Sequence, residues 1–146
     1  MRYLITFFLL FIIGVQVHAQ THDEIITARA REFHRVMCQT DREVWKQFVL
    51  KNYTKALQER QMKQTISSDT GAKSEEKAEA LEGKIKMLAR LNEDFGGGKL
   101  ISVVATGDEV EMVATTGHGD QGRFKLKFEK NAPYLIDAMM VELGDR

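Results

Sequence analysis

The sequence is poor in cysteine, proline and tryptophan, with one of each in 146 residues, and it has no excess of charge of either sign. Because Cys38 is the single cysteine, the chain cannot form an internal disulfide, and its hydrophobic core alone must hold the fold. We interpret Cys38 as a small buried hydrophobe. Basic and acidic residues number 21 each. A chain so balanced has no general electrostatic reason to bind nucleic acid or an anionic membrane.

The longest apolar run stands at the N-terminus. Arg2 precedes an apolar stretch from Tyr3 to Val17, and Val17-His18-Ala19 is a small-residue cleavage pattern. This predicts a signal peptide over residues 1–19, cleaved after Ala19, and a single domain over residues 20–146. An uncleaved anchor is the alternative, but the run is short for a membrane span. We expect a periplasmic or secreted bacterial protein with no stable membrane insertion after cleavage.

Apolar residues three or four apart predict three helices in the first part of the mature chain. The second begins at Thr40, read as the N-cap of a capping box with Glu43. The third begins at Ser74, read as its cap, and ends at Phe95. Between them the sequence ISSDTGAK (residues 66–73) predicts an exposed loop. The apolar face of the first helix is expected at Ile26, Ala30, Phe33 and Met37.

After the third helix the apolar period changes to two, which predicts four strands joined by short turns. The last strand is expected from Tyr134 to Leu143. The predicted fold class is therefore α+β, with three N-terminal helices packed on a four-stranded antiparallel meander sheet. The inward positions are expected at Ile101, Val103 and Ala105 in the first strand and at Phe124, Leu126 and Phe128 in the third.

Three consecutive glycines join the helical part to the strands in DFGGGKL (residues 94–100). A phosphate cradle places its glycines before a helix N-terminus, whereas these glycines follow a helix. We therefore predict a structural joint, with Gly96 in the left-handed conformation that ends the helix.

Three stretches together resemble a known kind of secreted accessory domain: DREVWKQFV, KIKMLARLNEDFGGGKLISVV and GRFKLKFEKNAPYLIDAMMVEL (residues 41–49, 84–104 and 122–143). The resemblance is to the nuclear transport factor 2-like, or cystatin-like, domains that precede serine hydrolases of the beta-lactamase and penicillin-binding type. It implies a cone-like curved sheet around a pocket that binds ligands. It also implies a separately encoded secreted serine hydrolase, or a small apolar ligand, as the partner.

No catalytic or metal-binding motif is complete. Ser74-Glu75-Glu76-Lys77 matches the Ser-x-x-Lys pattern, but its companion motifs are missing and Ser74 is explained as a helix cap. His34 and Cys38 are four residues apart and would share a helix face, without a third ligand at a recognisable spacing. We expect no catalytic residue, no metal and no cofactor.

Four residues are the expected lining of a ligand pocket: Trp45, Tyr53, Phe95 and Asp137. Tryptophan often keeps one edge near a pocket, and Tyr53 lies where its helix ends. Asp137 interrupts an apolar strand, so it either points inward and is paired or points outward and is solvated.

The sequence thus predicts an exported, non-catalytic binding or interaction module that docks on a secreted hydrolase. The alternative is a small pocket enzyme of the ketosteroid-isomerase type, which needs a buried carboxylate opposite a hydrogen-bond donor. Composition does not determine the oligomeric state.

Overall fold

A computed structural model describes residues 20–60 and 74–143, with the side chains of residues 74 and 75 left out of the description. The predicted signal peptide, the predicted loop over residues 66–73 and the capping side chain of Ser74 lie outside what is described. The described chain is α+β, as predicted, with its helices before its strands. The helices are α1 (His22–Met37), α2 (Arg42–Asn52), α3 (Lys55–Glu59) and α4 (Ser74–Phe95). The strands are β1 (Leu100–Thr106), β2 (Glu109–Thr115), β3 (Gln121–Phe128) and β4 (Ile136–Leu143).

Helix α1 begins with a capping box that sequence inspection missed. The Thr21 side chain accepts a hydrogen bond from the Glu24 amide, and the Glu24 carboxylate accepts one from the Thr21 amide at 2.9 Å. The predicted apolar face is confirmed, because all four of its residues are buried and Val36 joins them. This face supplies the helical side of the core.

Helix α2 is capped by Asp41, so the prediction of Thr40 as the cap is wrong by one residue. The Asp41 carboxylate accepts the Glu43 amide at 2.8 Å. Aspartate and threonine are both common N-cap residues, so the sequence pattern alone did not separate the two positions.

Helix α3 was not predicted, because five residues are too few to show an apolar period. Thr54 caps it by accepting the Leu57 amide at 3.1 Å, and Leu57 is buried. The sequence signal for this helix was Thr54, a residue type that often caps helices, three residues before Leu57.

The sheet is an antiparallel meander in the order β1-β2-β3-β4, as predicted. One face packs against the helices, and Phe124 at its centre contacts the rings of Phe33 and Phe95 at centroid distances of 6.0 and 4.9 Å. The predicted inward positions of β3 are confirmed, since Phe124, Leu126 and Phe128 are all buried.

Irregularities in the outer strands change two predictions. A β-bulge lies between Leu100 and Ser102, so Leu100 packs against the core while Ile101 is exposed, contrary to the predicted inward Ile101. Strand β4 begins at Ile136 rather than at Tyr134. Tyr134 has a φ of 55°, which belongs to a turn and not to a strand, and the preceding Ala132–Pro133 peptide bond is cis.

The glycine joint is confirmed in its role but not in its detail. The Gly96 amide still donates to the Asn92 carbonyl at 2.8 Å, so Gly96 continues the helical turn and is not left-handed. The turn into β1 is closed by the Gly98 amide on the Phe95 carbonyl at 2.8 Å. A Cβ on Gly98 would lie 1.6 Å from the Thr115 carbonyl oxygen, so only glycine fits there.

No helix among the described residues is both long enough and apolar enough to cross a membrane.

Candidate functional site

Trp45, the first predicted pocket residue, lies in the core between α1 and α2. Its side chain is buried, and its indole Nε1 donates to the Val36 carbonyl at 3.1 Å. The Val36 carbonyl lies in the last turn of α1, where it also accepts the Gln39 amide at 3.0 Å. Trp45 therefore links the end of α1 to α2.

Tyr53 and Phe95 are also buried, at different places in the core. Tyr53 packs edge-on against Phe48, and its hydroxyl has no hydrogen-bond partner among the described residues. Burial raises the pKa of Tyr53 far above its usual value. Phe95 lies over Gly122, where a Cβ would come within 2.4 Å of the ring. Gly122 thus makes room for Phe95 on the sheet.

Asp137 fits neither of its two predicted orientations. It is the extra residue at the irregularity where β3 and β4 shift register, since Phe128 pairs with Ile136 and Lys127 with Ala138. The Asp137 side chain is half-buried and accepts the Thr54 hydroxyl at 3.0 Å. The carboxylate is therefore paired across to the helical layer and stays partly exposed.

The structure brings two of the four predicted residues together. Tyr53 forms an isolated parallel bridge with Ile136, the neighbour of Asp137, and the Thr54 amide donates to the Ile136 carbonyl at 2.9 Å. Trp45 and Phe95 belong to other parts of the core. Pocket lining by these four residues stays a prediction.

A polar anchor that the sequence did not reveal holds the same end of β4. Arg29 of α1 donates from Nη1 to the Asn52 side chain and from Nη2 to the Pro133 carbonyl, both at 2.7 Å. Asn52 is buried and also donates to the Phe48 carbonyl at 3.1 Å. Arg29 is one of several charged residues on an amphipathic helix, so the sequence gives no signal that it has such a role.

A groove with an apolar floor lies between the end of α1 and the start of α2. Its volume is about 300 Å³ and it opens to solvent. That size is at the lower end for ligand sites and suits one or two side chains of a partner. Val36, Val44 and Phe48 form the floor, and Glu32, Arg35, Asp41, Glu43 and Gln47 form the rim.

The lining of this groove carries more negative than positive charge. Arg35 is the single cation among the lining residues and contacts Glu32 at 3.7 Å. Across the groove lie Asp41, the N-cap of α2, and Glu43, which also contacts Lys46 at 3.6 Å. The Trp45 indole holds the Val36 backbone in the floor from below. An apolar floor with an acidic rim is suited to an apolar side chain flanked by a basic residue.

A second depression, of about 350 Å³, lies at the turn end of the sheet. Its lining residues are His22, Gly107, Asp108 and Lys130, so it lacks an apolar floor. The α1–α2 groove is therefore the better candidate for binding.

The predicted proximity of His34 and Cys38 is confirmed. His34 Nε2 lies 3.8 Å from Cys38 Sγ, and the thiol also contacts the Phe95 carbonyl at 3.7 Å. Cys38 is half-buried, and burial raises the pKa of its thiol and lowers the pKa of His34. Across residues 20–60 and 74–143, no three histidine, cysteine, aspartate or glutamate side chains are grouped so as to hold a metal ion.

Comparison with protein-family models, curated proteins and solved structures gives no match to this chain. The geometry of the groove and the chemistry of its residues therefore have to carry any functional argument.

Proposed function

We propose that residues 20–146 form an exported, non-catalytic interaction module that docks on a secreted serine hydrolase. The observation that supports this best is the α1–α2 groove, with Val36, Val44 and Phe48 in its floor and an acidic rim. Trp45, Tyr53 and Phe95, three of the four residues predicted to line a ligand pocket, are buried in the core. A surface groove favours the docking of a partner over chemistry inside a cavity.

The partner that fits the groove presents an apolar side chain next to a lysine or arginine. Asp41 and Glu43 would attract the basic group, and burial of the apolar side chain would supply most of the affinity. The nuclear transport factor 2-like or cystatin-like fold belongs to the same proposal, since the helices and the four-stranded antiparallel sheet agree with either in class. A signal peptide and a periplasmic or secreted location complete it.

The test is capture of a labelled hydrolase by the immobilised mature chain. Envelope and culture extracts are treated with a fluorophosphonate probe, which labels active serine hydrolases covalently, and are passed over the wild-type bait. We expect a labelled hydrolase to be retained. Val44→Glu, which places a carboxylate in the floor, is expected to release it, because docking of an apolar side chain would bury that charge without a partner.

Leu50→Glu is the matched control, because Leu50 is an exposed leucine on the same helix and lies outside the groove. It should retain the hydrolase as the wild type does. Val44 lies in the first turn of α2, where the helix dipole favours a glutamate, so the variant should fold. Equal retention by Val44→Glu, or no labelled hydrolase on the wild-type bait, would contradict the proposal.

The small pocket enzyme is the second candidate, and the buried Tyr53 hydroxyl favours it. This hydroxyl has no partner among the described residues, and an unpaired donor in an apolar site is what an oxyanion-binding enzyme uses. Phenol and naphthol binding, followed by NMR chemical-shift changes around Tyr53, tests this candidate. Tyr53→Phe should abolish the shifts if the hydroxyl binds an oxyanion, and absence of shifts in the wild type excludes these probes as ligands.

A further inference from the structure

The two outer strands of the sheet are protected to different degrees. Strand β4 is partly covered, because Tyr53 and Thr54 pair with Ile136 and because Asp137 and Glu142 add charge along the strand. Strand β1 reads LISVVAT and carries no charge, and no described segment pairs with its outer edge. An uncharged edge with free backbone groups can pair with another strand.

The regular part of β1 is the five-residue segment from Ser102 to Thr106, which lies beyond the bulge and has Val104 at its centre. Its middle residue is 57% exposed, which is high for a valine. Antiparallel pairing of this segment with a copy of itself would place Val104 opposite Val104, Ser102 opposite Thr106 and Val103 opposite Ala105. Each opposed pair then shares one face of the sheet, as antiparallel pairing requires.

Charges at the two ends of β1 favour a second copy as the occupant of the edge. Lys99 precedes the strand, and Asp108 follows it in the turn to β2. Neither side chain forms an ion pair with a described residue. A two-fold axis through Val104 brings Lys99 of each copy to the end where Asp108 of the other lies, so opposite charges meet at both ends of the seam.

We propose that the mature chain forms a symmetric dimer in which the β1 strands of two copies pair antiparallel around Val104 and join two sheets into one of eight strands. The interface is a single short strand pair, so the dimer is reversible and depends on concentration. The dimer is independent of hydrolase docking, because the α1–α2 groove uses none of the β1 residues.

Sedimentation equilibrium of residues 20–146 over a wide range of concentration tests the dimer. The mean mass of the wild type should rise toward twice that of the monomer and stop there. Val104→Lys should weaken association by at least about tenfold, because it places two lysines opposite each other. Met140→Lys is the matched control, since Met140 is 54% exposed and lies in the same cross-strand row through Glu111 and Lys125. It should associate as the wild type does.

Charge exchange tests the register. Lys99→Asp and Asp108→Lys should each weaken the dimer, and the double variant should restore it. In a Cys38→Ser background, Val104→Cys should form a disulfide-linked dimer under oxidation, because opposed strand residues are about 4.5–5.5 Å apart between Cα atoms. Met140→Cys should not form one.

Three results would overturn the proposal: a wild type that stays monomeric, growth beyond the dimer, or equal loss of association in Val104→Lys and Met140→Lys. Thermal unfolding of each variant separates lost association from lost folding. Retention of the labelled hydrolase by Val44→Glu would count against the docking function and leave the dimer standing.

Discussion

Strands β1 and β4 are the two outer strands of one sheet, and the helical layer is joined to each in a different way. The joint to β1, called the packed joint, depends on close approach, with Gly98 against the Thr115 carbonyl and Phe95 over Gly122. Hydrogen bonds between Lys99 and Thr115 accompany this packing. The joint to β4 is made by hydrogen bonds, from Arg29 to the Pro133 carbonyl and from Thr54 to Asp137.

Whether an outer strand edge is covered depends on the chain segment that leads to that strand or packs beside it. The α2–α3 link carries polar groups to the edge of β4 and closes the start of that edge. Helix α4 enters β1 directly through the glycines, so no described segment covers the β1 edge. Among the described residues, the outer edge of β1 is therefore open, whereas the start of the β4 edge is covered.

The largest effect is expected at the packed joint. Gly98→Ala should destabilise the fold by about 3 kcal/mol or more, because its Cβ would meet backbone that cannot move aside cheaply. Gly97→Ala is the control, since its Cβ would come no closer than 3.8 Å to Gly117, and it should change stability by less than about 0.5 kcal/mol. Urea unfolding followed by circular dichroism measures both. Similar stabilities for the two variants would show that the joint is not held by the close approach.

The next effect is expected at the hydrogen-bonded joint. Arg29→Met should cost about 2 kcal/mol, because it removes two charge-assisted hydrogen bonds and leaves Asn52 with an unmet acceptor. Arg31→Met, at an exposed position of the same helix, should cost less than about 0.5 kcal/mol. The measurement is the urea midpoint of each variant. A cost for Arg29→Met no larger than that for Arg31→Met would mean that the anchor does not hold β4.

A smaller effect is expected at Thr54, which both caps α3 and binds Asp137. Thr54→Val should cost about 1 kcal/mol, the usual loss for a missing N-cap. Asp137→Asn keeps an oxygen that can accept the Thr54 hydroxyl, so it should be close to neutral. Differential scanning calorimetry compares the two, and a larger loss for Asp137→Asn would show that the carboxylate charge matters more than the cap.

The smallest expected effect is a pH dependence of stability caused by His34, which lies near the packed joint through Cys38 and Phe95. Burial lowers the pKa of His34, so the unfolded chain binds a proton more readily than the folded chain does. The stability that His34 contributes by staying neutral is fully present above the unfolded pKa of about 6.5, and it is lost as the pH falls from there through the lower pKa of the folded chain. Between about pH 7.5 and 5.5 the melting temperature of the wild type should fall more than that of His34→Gln. If the melting temperatures of the wild type and His34→Gln fall by the same amount, groups other than His34 cause the pH dependence.

Much of the fold could be predicted, because periodicity reports local structure directly. The buried face of α1 and the alternation of Phe124, Leu126 and Phe128 follow from spacing alone. The failure at Ile101 comes from a bulge that shifts the phase of the alternation. The failure at Tyr134 comes from its left-handed backbone conformation, which delays the start of β4 to Ile136.

The candidate site could not be predicted from the sequence in the same way. The groove forms where the end of α1 meets the start of α2, and the hydrogen bond from Trp45 to the Val36 carbonyl joins the two helices there. Trp45 stood out as an aromatic residue, but its burial depends on tertiary packing that no local pattern encodes. Arg29 gave no signal, because its partners Asn52 and Pro133 are distant in sequence.

Amide hydrogen exchange of the mature chain at low and high protein concentration tests the central difference between the two edges most directly. Alternate residues of 102–106 in β1 direct their N–H groups to the outer edge and the others already bond to β2. We expect the edge-facing amides to become more protected as concentration rises, while those of residues 138–143 in β4 do not change. Unchanged protection in β1, or a gain confined to β4, would contradict the account.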